Sequence, residues 1–553
     1  MVSAATYNWR LLFRRSFNRW TLSILILVCV FLGPILAVFV AATGDSGDLW
    51  FHLFKTVLPR YVTNTLVLMT GVGLVCLIFG VPTAWIVTRY DFPFRNIIEW
   101  MLLLPAAIPA YLIAYTYTDF LEYAGPVQGV LRDMFGWKNA RDYWFPEIRS
   151  MGGAILVMGA VLYPYVYMMA RSAFILTPKS LFEAGRIANR YMFFDVAMPL
   201  ARPAIFAGLA LALMETISDF GTVEYFAVET LTLGIFNVWL GMNSLPAAAQ
   251  ISCIAFVFVI ALIILEKAAR HRRQYVDTGR RAVSIQAEPL SGARGWLCIV
   301  ACVTPITIGF IVPVAVLLNF VFQGYSLDFS DAVTKAALNT IFLAGAVAIL
   351  VLSTAAFMVL VNFYKGGRLL RQLVGLASIG YAFPGTILAV GVVTLGGAID
   401  ARIASILESA FGFSYDGWLT SGIGLIIIAC AIRFQAVGYG AMTSGMERLP
   451  PNMMGASRVL GRSFGGSLRA VILPLVQVPI LAGGLLVFID VMKELPMTLL
   501  LRPFNYETLA TYVYQFAKDE LLEEAALPAL MIVTVGMLPV IVMNAALRRI
   551  SRY

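Results

Sequence analysis

The chain has 553 residues, of which 60% are hydrophobic and only 13% charged, and its mean hydropathy is +0.83. A soluble protein of this length carries about a quarter charged residues. The composition therefore excludes a water-soluble enzyme, a nucleic-acid-binding protein and a disordered chain, and it predicts an all-α protein of the lipid bilayer.

Apolar runs of spanning length predict about twelve transmembrane helices along the chain. They lie near residues 20–43, 62–88, 97–119, 151–170, 199–219, 246–266, 296–320, 336–361, 371–396, 421–440, 474–493 and 526–547. The first run follows four arginines and is longer than the apolar core of a signal peptide. We therefore expect an uncleaved first helix.

The formal net charge of +9 is distributed unevenly between alternate loops. Loops predicted on one side of the membrane collect the basic residues, whereas the segment 219–245 has three acidic residues and no Lys or Arg. This asymmetry follows the positive-inside rule and predicts a multi-pass protein with both termini in the cytoplasm.

A polar, basic stretch at 267–295 predicts a cytoplasmic linker between two modules of similar size, 1–266 and 296–553, with six helices each. A shift of 275 positions superimposes the first module on the second: Asn64-Thr65 falls on Asn339-Thr340, Pro109 on Pro384, Pro199 on Pro474 and Asp219 on Glu494. Because both modules begin on the same side, the repeat is parallel and predicts a central cavity shared by the two modules.

Two basic loops at corresponding positions contain a repeated motif of small residues and proline. Its residues are Glu183, Ala184, Gly185 and Pro199 in the first loop, and Gly455, Ala456, Ser457, Gly461 and Pro474 in the second. Small residues let a helix end lie close to a partner, and proline opens the next helix. In the first loop Asn189 stands at the position of Gly461, and the distance to the proline is three residues shorter.

These motifs resemble the coupling loops of binding-protein-dependent ABC importer permeases. In that family the loop forms two short helices that insert into a cleft of the ATPase subunit, so the resemblance assigns ATPase coupling to the residues of both motifs. The shorter first loop, with Asn189 in place of the family glycine, is expected to dock with an altered geometry.

A second repeated pattern follows the fifth and eleventh predicted spans. Ionisable residues there lie within a span or at its edge, where they are costly and commonly face a water-filled path or a protein partner. They are Glu215, Asp219, Asp490, Lys493 and Glu494, and we expect them to line a translocation pathway. The alternative is a purely structural role, such as an ion pair between Lys493 and Glu494.

The strings Ser-Asp-Phe-Gly-Thr from Ser218 and Lys-Glu-Leu-Pro-Met-Thr from Lys493 resemble fused, double-length permeases of the ferric iron importer group. The resemblance implies two tandem type I importer permease modules in the bacterial inner membrane. It also implies a periplasmic binding protein that delivers ferric iron and two copies of an ATPase subunit.

The chain has no Gly-x-x-x-x-Gly-Lys-Ser/Thr phosphate loop, so ATP is expected to be hydrolysed by a separate chain. The sequence predicts no cofactor bound by this chain and no protein-built metal site, because His52 and His271 are its only histidines. We accordingly predict a transport subunit rather than an enzyme.

Three alternatives remain open from the sequence. The same architecture could carry another cargo, such as thiosulfate, a polyamine or a phosphonate. An ion-coupled secondary transporter would need carboxylates near the bilayer midplane, for which Glu215 and Asp490 are the candidates. A membrane enzyme is disfavoured because the spans contain no cluster with metal-ligand spacing and no nucleophile–base arrangement.

Overall fold

The computed structural model describes residues 19–271, 287–324, 330–365, 367–377, 380, 383–412, 415, 417–447, 449–450 and 452–550. Side chains are described for the same residues except 266–271, 365, 368, 418, 539 and 542–550. Within these residues the regular structure is almost entirely helical, apart from the strands β1 (Tyr90–Asp91) and β2 (Glu288–Pro289), which pair in parallel.

The helices of the first half of the chain range from short turns to long apolar rods. They are α1 (Arg19–Ala42), α2 (Asp48–Thr56), α3 (Leu58–Arg89), α4 (Arg95–Met101), α5 (Ala110–Leu121), α6 (Pro126–Phe135), α7 (Met151–Ile175), α8 (Lys179–Ile187), α9 (Met198–Ser218), α10 (Gly221–Tyr225), α11 (Leu231–Phe236) and α12 (Leu245–His271).

The second half repeats this sequence of long and short helices. They are α13 (Ala293–Ile306), α14 (Val312–Phe322), α15 (Asp331–Lys365), α16 (Arg368–Ala377), α17 (Gly385–Phe411), α18 (Trp418–Ser421), α19 (Gly424–Glu447), α20 (Met453–Val459), α21 (Phe464–Ser467), α22 (Leu473–Met492), α23 (Pro496–Leu501), α24 (Leu509–Lys518) and α25 (Ala526–Ile550).

The described residues contain ten helices that are long and apolar enough to cross a membrane. The segments 95–107 and 110–135 bend by 93° at their junction and together form either one broken crossing or a re-entrant loop. Helix α25 coincides with the last predicted span, 526–547, although its final side chains lie outside the described residues. The fold is the predicted all-α membrane bundle, and the ten or eleven candidate spans among the described residues do not include α25.

The predicted spans near 97–119 and 371–396 are each interrupted at a proline and are not single helices. Pro109 and Pro384 have extended backbones (φ −59°, ψ 140° and φ −52°, ψ 140°) and immediately precede α5 and α17. Proline lacks an N–H and clashes with the preceding helical turn, so one helix must end before it. The spanning helix of the second run is consequently displaced to Gly385–Phe411.

The internal repeat is visible in hydrogen bonds as well as in sequence. The Asn64 amide donates to the Glu229 carbonyl at 3.0 Å, and the Asn339 amide donates to the Glu507 carbonyl at 2.9 Å. The hydroxyls of the adjacent threonines each accept the backbone N–H of the residue two positions after that glutamate: Thr65 from Leu231 and Thr340 from Leu509. The repeated Asn-Thr pair thus ties a spanning helix to the segment before α11 and α24 in both halves.

Contacts divide the chain into two compact units, of which the first comprises residues 1–44, 341–492 and 500–505. In this unit α1 packs along α17. A Cβ atom added at Gly391 would collide with the carbonyl oxygen of Pro34, so the two helices approach as closely as only glycine allows. The first helix of the chain therefore packs among helices of the second half.

The second unit comprises residues 45–340, 493–499 and 506–553. In it the segment α13–α14 packs against helices of the first half: the Tyr117 hydroxyl donates to the Ile308 carbonyl at 2.7 Å. A Cβ atom at Gly309 would collide with the Ala160 carbonyl oxygen. The first helical segment of each half thus lies in the unit that holds most of the other half, which the sequence analysis did not foresee. The module boundaries at 266 and 296 stay a prediction.

Candidate functional site

Each candidate coupling loop contains one short helix, α8 in the first coupling loop (176–191) and α20 in the second coupling loop (448–463). Both helices bury two positions three residues apart, which lie on one helix face. These are Phe182 and Gly185 in α8, and Met454 and Ser457 in α20. The two loops are therefore anchored by the same face at corresponding positions.

The opposite face of both helices is exposed, and it carries the remaining predicted coupling residues of the helices: Glu183 and Ala184 in α8, and Gly455 and Ala456 in α20. It also carries a large apolar residue at the same position of each loop. Ile187 is 89% exposed and Val459 is 88% exposed. Sequence reasoning missed this pair, although both residues stand four positions after the first small or acidic residue of the motif.

Glu183 forms an ion pair with Lys179 one helical turn earlier, with 3.6 Å between Nζ and Oε1. Both side chains are at least half exposed. An exposed pair of this spacing contributes only about 0.3–0.5 kcal/mol. The Glu183 carboxylate is consequently held weakly and can exchange its partner at little cost.

Gly185 and Ser457 each let their helix pack closely against the segment that follows it, but through different contacts. A Cβ atom at Gly185 would lie 2.8 Å from Val196 Cγ2, so only glycine lets α8 rest against the start of the following helical segment. At the corresponding position the Ser457 hydroxyl hydrogen-bonds the Ser467 hydroxyl at 2.9 Å, with both residues buried. These two predicted coupling residues therefore lie against other segments of this chain and not on the exposed face.

A left-handed turn ends both helices. In the first loop Asn189 has φ 51° and the Arg190 N–H donates to the Gly185 carbonyl at 2.9 Å. In the second loop Gly461 has φ 86° and the Arg462 N–H donates to the Ser457 carbonyl at 3.3 Å. This bond pattern is the Schellman motif, which satisfies carbonyls at a helix end. Asn189 therefore keeps the turn expected of the family glycine.

The three-residue difference between the loops lies after this turn. The second loop continues into the extra helical turn α21 and then into a π-helical segment over 468–472, which precedes Pro474. The first loop passes directly into a π-helical segment over 192–197, which precedes Pro199. Both prolines occupy the second position of their helices, α9 and α22, where a missing N–H is tolerated. The shortening changes the helix that follows the turn and leaves the coupling helix itself unchanged.

The buried faces of the two helices rest on different apolar clusters. Beneath α8, the ring of Trp85 lies 5.4 Å from that of Phe174 and 6.1 Å from that of Phe182. Beneath α20, Met454 packs in a core with aliphatic residues and methionines: Val359, Met442, Met446, Ile472 and Val476. Rigid aromatic rings thus support the first loop, and flexible thioethers support much of the second.

The candidate pathway carboxylates divide into two groups. Glu215 and Asp490 lie within α9 and α22 and are partly buried. Asp219 and Glu494 follow these helices and accept backbone N–H groups, Asp219 from Thr222 at 2.9 Å and Glu494 from Met497 at 3.1 Å. The same bond recurs at the 275-residue shift, so these two carboxylates stabilise a turn, which is a structural role that the alternative reading allowed.

The segments after α9 and α22 meet around Tyr111 in the second unit. A Cβ atom at Gly221 would lie 2.7 Å from Tyr111 Cβ and 2.9 Å from Leu495 Cδ2. Lys493 and Glu494 belong to the same unit as Tyr111 and Gly221, whereas Asp490 belongs to the other unit.

Desolvation raises the pKa of Asp219 to about 6. The nearby Glu215 carboxylate raises it further, whereas three hydrogen bonds from Thr222 and Val223 oppose the shift.

Two tyrosines of α5 are buried in this region and were not among the predicted site residues. The hydroxyls of Tyr111 and Tyr115 have no hydrogen-bond partner in the part of the chain that the structure describes. Buried hydroxyls without partners are costly, which marks them as candidate pathway groups. Their only sequence signal is the concentration of aromatic residues from Tyr111 onward, which is also typical of a membrane interface.

A resident metal site is not formed by the described residues: none of their His, Cys, Asp and Glu side chains come together in groups of three or more that could hold an ion. The candidate pathway residues therefore offer scattered carboxylates and phenols.

Three known proteins illustrate what the chain is similar to. It is 24% identical over 500 residues to the Fe(3+)-transport system permease protein FbpB 2 of Haemophilus influenzae, covering 89% of this chain and 91% of that protein. It is 22% identical over 532 residues to the ferric transport system permease protein FbpB of Actinobacillus pleuropneumoniae, covering 90% and 73%. It is 27% identical over 244 residues to the molybdate/tungstate transport system permease protein WtpB of Methanocaldococcus jannaschii, covering 43% and 92%.

The family described as binding-protein-dependent transport system inner membrane component matches the chain twice, over residues 77–274 and 355–552. Each match includes one coupling loop and the ionisable segment that follows it. The chain is accordingly a fused, double-length, multi-pass permease of the inner membrane. It belongs to the family of binding-protein-dependent transport system inner membrane components.

Proposed function

We propose that the chain is the permease subunit of an ATP-driven importer that moves ferric iron across the inner membrane. One observation carries the choice of cargo: the relatives named for ferric iron align with both halves of this chain, over 89% and 90% of its length. The relative named for molybdate and tungstate aligns with 43%. The relatives named for ferric iron therefore share the double length of this chain, whereas the relative named for molybdate and tungstate aligns with less than half of it.

The ATP-driven part of the proposal rests on the two coupling loops. An exposed apolar tip beside an exposed small-residue face is suited to a cleft in a partner, and it occurs in both loops at Ile187 and Val459. Two such loops suggest two copies of an ATPase subunit. The chain has no phosphate-binding loop of its own, so the proposal assigns ATP binding and hydrolysis to the partner ATPase and no cofactor to this chain.

The proposed orientation puts the coupling loops and both termini in the cytoplasm, following the positive-inside rule. The ends of the spanning helices opposite to the coupling loops then face the periplasm, where a substrate-binding protein delivers the iron. Glu215, Asp219, Asp490, Lys493 and Glu494 would line the path, with Asp219 and Glu494 also holding their turns. Carboxylates suit a hard cation such as ferric iron.

The test is reconstitution of the chain in proteoliposomes with its ATPase and an iron-loaded binding protein. Uptake of radioactive iron should require ATP hydrolysis. Glu183→Lys and Gly461→Glu should each abolish both ATPase binding and uptake, while both variants still insert. Glu147→Lys, an exposed charge reversal outside the coupling loops, serves as the control.

Two outcomes would overturn the proposal. Uptake by the purified chain alone, driven by a proton or sodium gradient, would identify a secondary transporter. Iron-independent uptake of an oxyanion, thiosulfate, a polyamine or a phosphonate from another binding protein would retain the machine and replace its cargo. Loss of uptake on neutralising Asp490 and Glu494, with ATPase docking intact, would support the pathway assignment.

A further inference from the structure

The segment that joins the two halves returns to the first coupling loop. Its residues 288–289 form the strand β2, which pairs in parallel with β1 at the end of α3, in the register Tyr90 with Glu288 and Asp91 with Pro289. The Leu290 N–H donates to the Asp91 carbonyl at 2.7 Å. About 200 residues separate the two strands, so this pairing brings together segments that are remote along the chain.

Glu288 carries a charge contact in addition to the strand pairing. Its Oε1 atom forms ion pairs with Arg89, at the end of α3, and with Arg186, in the last turn of α8. The Arg89 side chain is only 7% exposed, whereas those of Glu288 and Arg186 are 43% and 59% exposed. A nearly buried guanidinium needs a counterion, and Glu288 supplies it.

The contact with Arg186 constrains the coupling helix. Arg186 directly follows Gly185, which is buried, and precedes the exposed tip residue Ile187. Holding the Arg186 side chain toward α3 fixes the rotation of α8 about the anchor formed by Phe182 and Gly185. That rotation determines the direction in which Glu183 and Ile187 face.

Among the described residues of the second coupling loop there is no equivalent contact. Arg458 is the counterpart of Arg186, and within the described residues it forms no ion pair; the helix α20 rests on its apolar core instead. A linker can occur only once in a chain of two modules, so the support is necessarily asymmetric. It serves the loop that lacks the extra turn α21.

We infer that Glu288 is a positioning residue for ATPase coupling: by bridging Arg89 and Arg186 it lets the linker hold the first coupling helix in its docking orientation. The inference rests on the proposed function. It predicts that the two coupling loops respond differently to changes in the linker.

The first test measures the helix directly, without ATPase or iron. Glu288→Gln keeps the shape of the side chain and the strand pairing but removes its charge. Backbone hydrogen exchange over residues 179–190 should accelerate by about threefold or more, whereas exchange over residues 452–462 should stay unchanged as the internal control. Unchanged exchange over the rest of the chain verifies folding. Equal exchange of both loops in variant and wild type would overturn the inference.

The second test measures coupling in the reconstituted importer. Glu288→Gln and Arg186→Gln should each lower the iron transported per ATP hydrolysed by about threefold or more, and Glu288→Asp should recover part of the loss. Glu229→Gln, which removes the carboxylate paired with Arg60 far from the coupling loops, should have no effect. A wild-type protein that fails to transport iron would refute the proposed function, whereas a normal ratio in Glu288→Gln refutes only this inference.

Discussion

Asn189 and Gly461 hold the same left-handed backbone turn at the ends of the two coupling helices, at φ 51° and φ 86°. Asparagine is one of the few residues other than glycine that adopts this conformation readily. The departure from the family motif at Asn189 therefore preserves the local geometry. What differs between the loops is the extra helical turn of α21.

The first prediction concerns alanine at two glycines of the second coupling loop. Gly461→Ala places a Cβ in the left-handed region and should destabilise the turn by about 1–2 kcal/mol. Gly455→Ala lies in the helix α20 with open space around it, so it should stabilise the helix by about 0.8–1 kcal/mol. Hydrogen exchange over residues 452–462 measures both changes, and shifts of the same sign would contradict the assigned turn.

The second prediction concerns the exposed apolar tips. Ile187→Asp and Val459→Asp should leave the thermal unfolding of the detergent-solubilised protein within about 0.5 kcal/mol of wild type, because both side chains are almost fully exposed. Each should nevertheless weaken ATPase binding in a pull-down assay. Trp144→Asp, at a residue that is 85% exposed outside the coupling loops, is the matched control. Normal ATPase binding by both tip variants would remove the tips from the docking surface.

The third prediction separates the buried anchor from the exposed face of α8. Phe182 is 3% exposed and packs on Trp85, so Phe182→Ala should cost about 3–5 kcal/mol of local stability. The result should be faster proteolytic cleavage within residues 179–190. Leu181→Ala, at a neighbouring residue that is 42% exposed, should change the cleavage rate little. Equal rates for the two variants would show that α8 is not anchored through Phe182.

The fourth prediction concerns pH. Desolvation raises the pKa of Asp219 to about 6, above its unfolded value of about 3.9, so the fold favours the protonated carboxyl. The associated stability is fully present below about pH 3.9 and is lost as the pH rises through about 6. Wild type should therefore lose stability relative to Asp219→Asn between about pH 4.5 and about pH 7.5, as measured by thermal unfolding in detergent.

Asparagine retains an oxygen that can accept the Thr222 N–H, so the Asp219 comparison isolates the charge from the turn. Asp519→Asn, at an exposed aspartate, is the control and should track wild type over the same pH range. A difference between wild type and Asp219→Asn that does not vary with pH would mean that Asp219 is not desolvated.

The repeat and the motif positions could be predicted from the sequence because they depend on residues that are local or periodic. Asn64-Thr65 and Asn339-Thr340 occur at a constant shift, and the structure gives both pairs the same hydrogen bonds. The prolines at 109 and 384 were visible too, but each apolar run was predicted as one span, since sequence alone does not reveal whether a helix bends or ends at a proline.

Long-range packing could not be predicted. The contact of Glu288 with Arg89 and Arg186 joins segments about 200 and about 100 residues apart, and a carboxylate within a basic linker carries no signal of its partners. Which bundle a helix joins is equally undetermined by chain order. Apolar helices are interchangeable in hydropathy, and their pairing depends on the shape of small-residue contacts.

The fifth prediction tests the packing of α1 in the first unit. Gly391 of α17 faces the Pro34 carbonyl so closely that any side chain would force the helices apart. Gly391→Ala should therefore lower the thermal stability of the detergent-solubilised protein by about 1–3 kcal/mol, as overpacking typically does. Gly397→Ala, on the same helix with open space around it, should be neutral or stabilising. If the two variants were equally stable, α1 would have to pack somewhere other than on α17. It would then pack with the other helices of the first half of the chain.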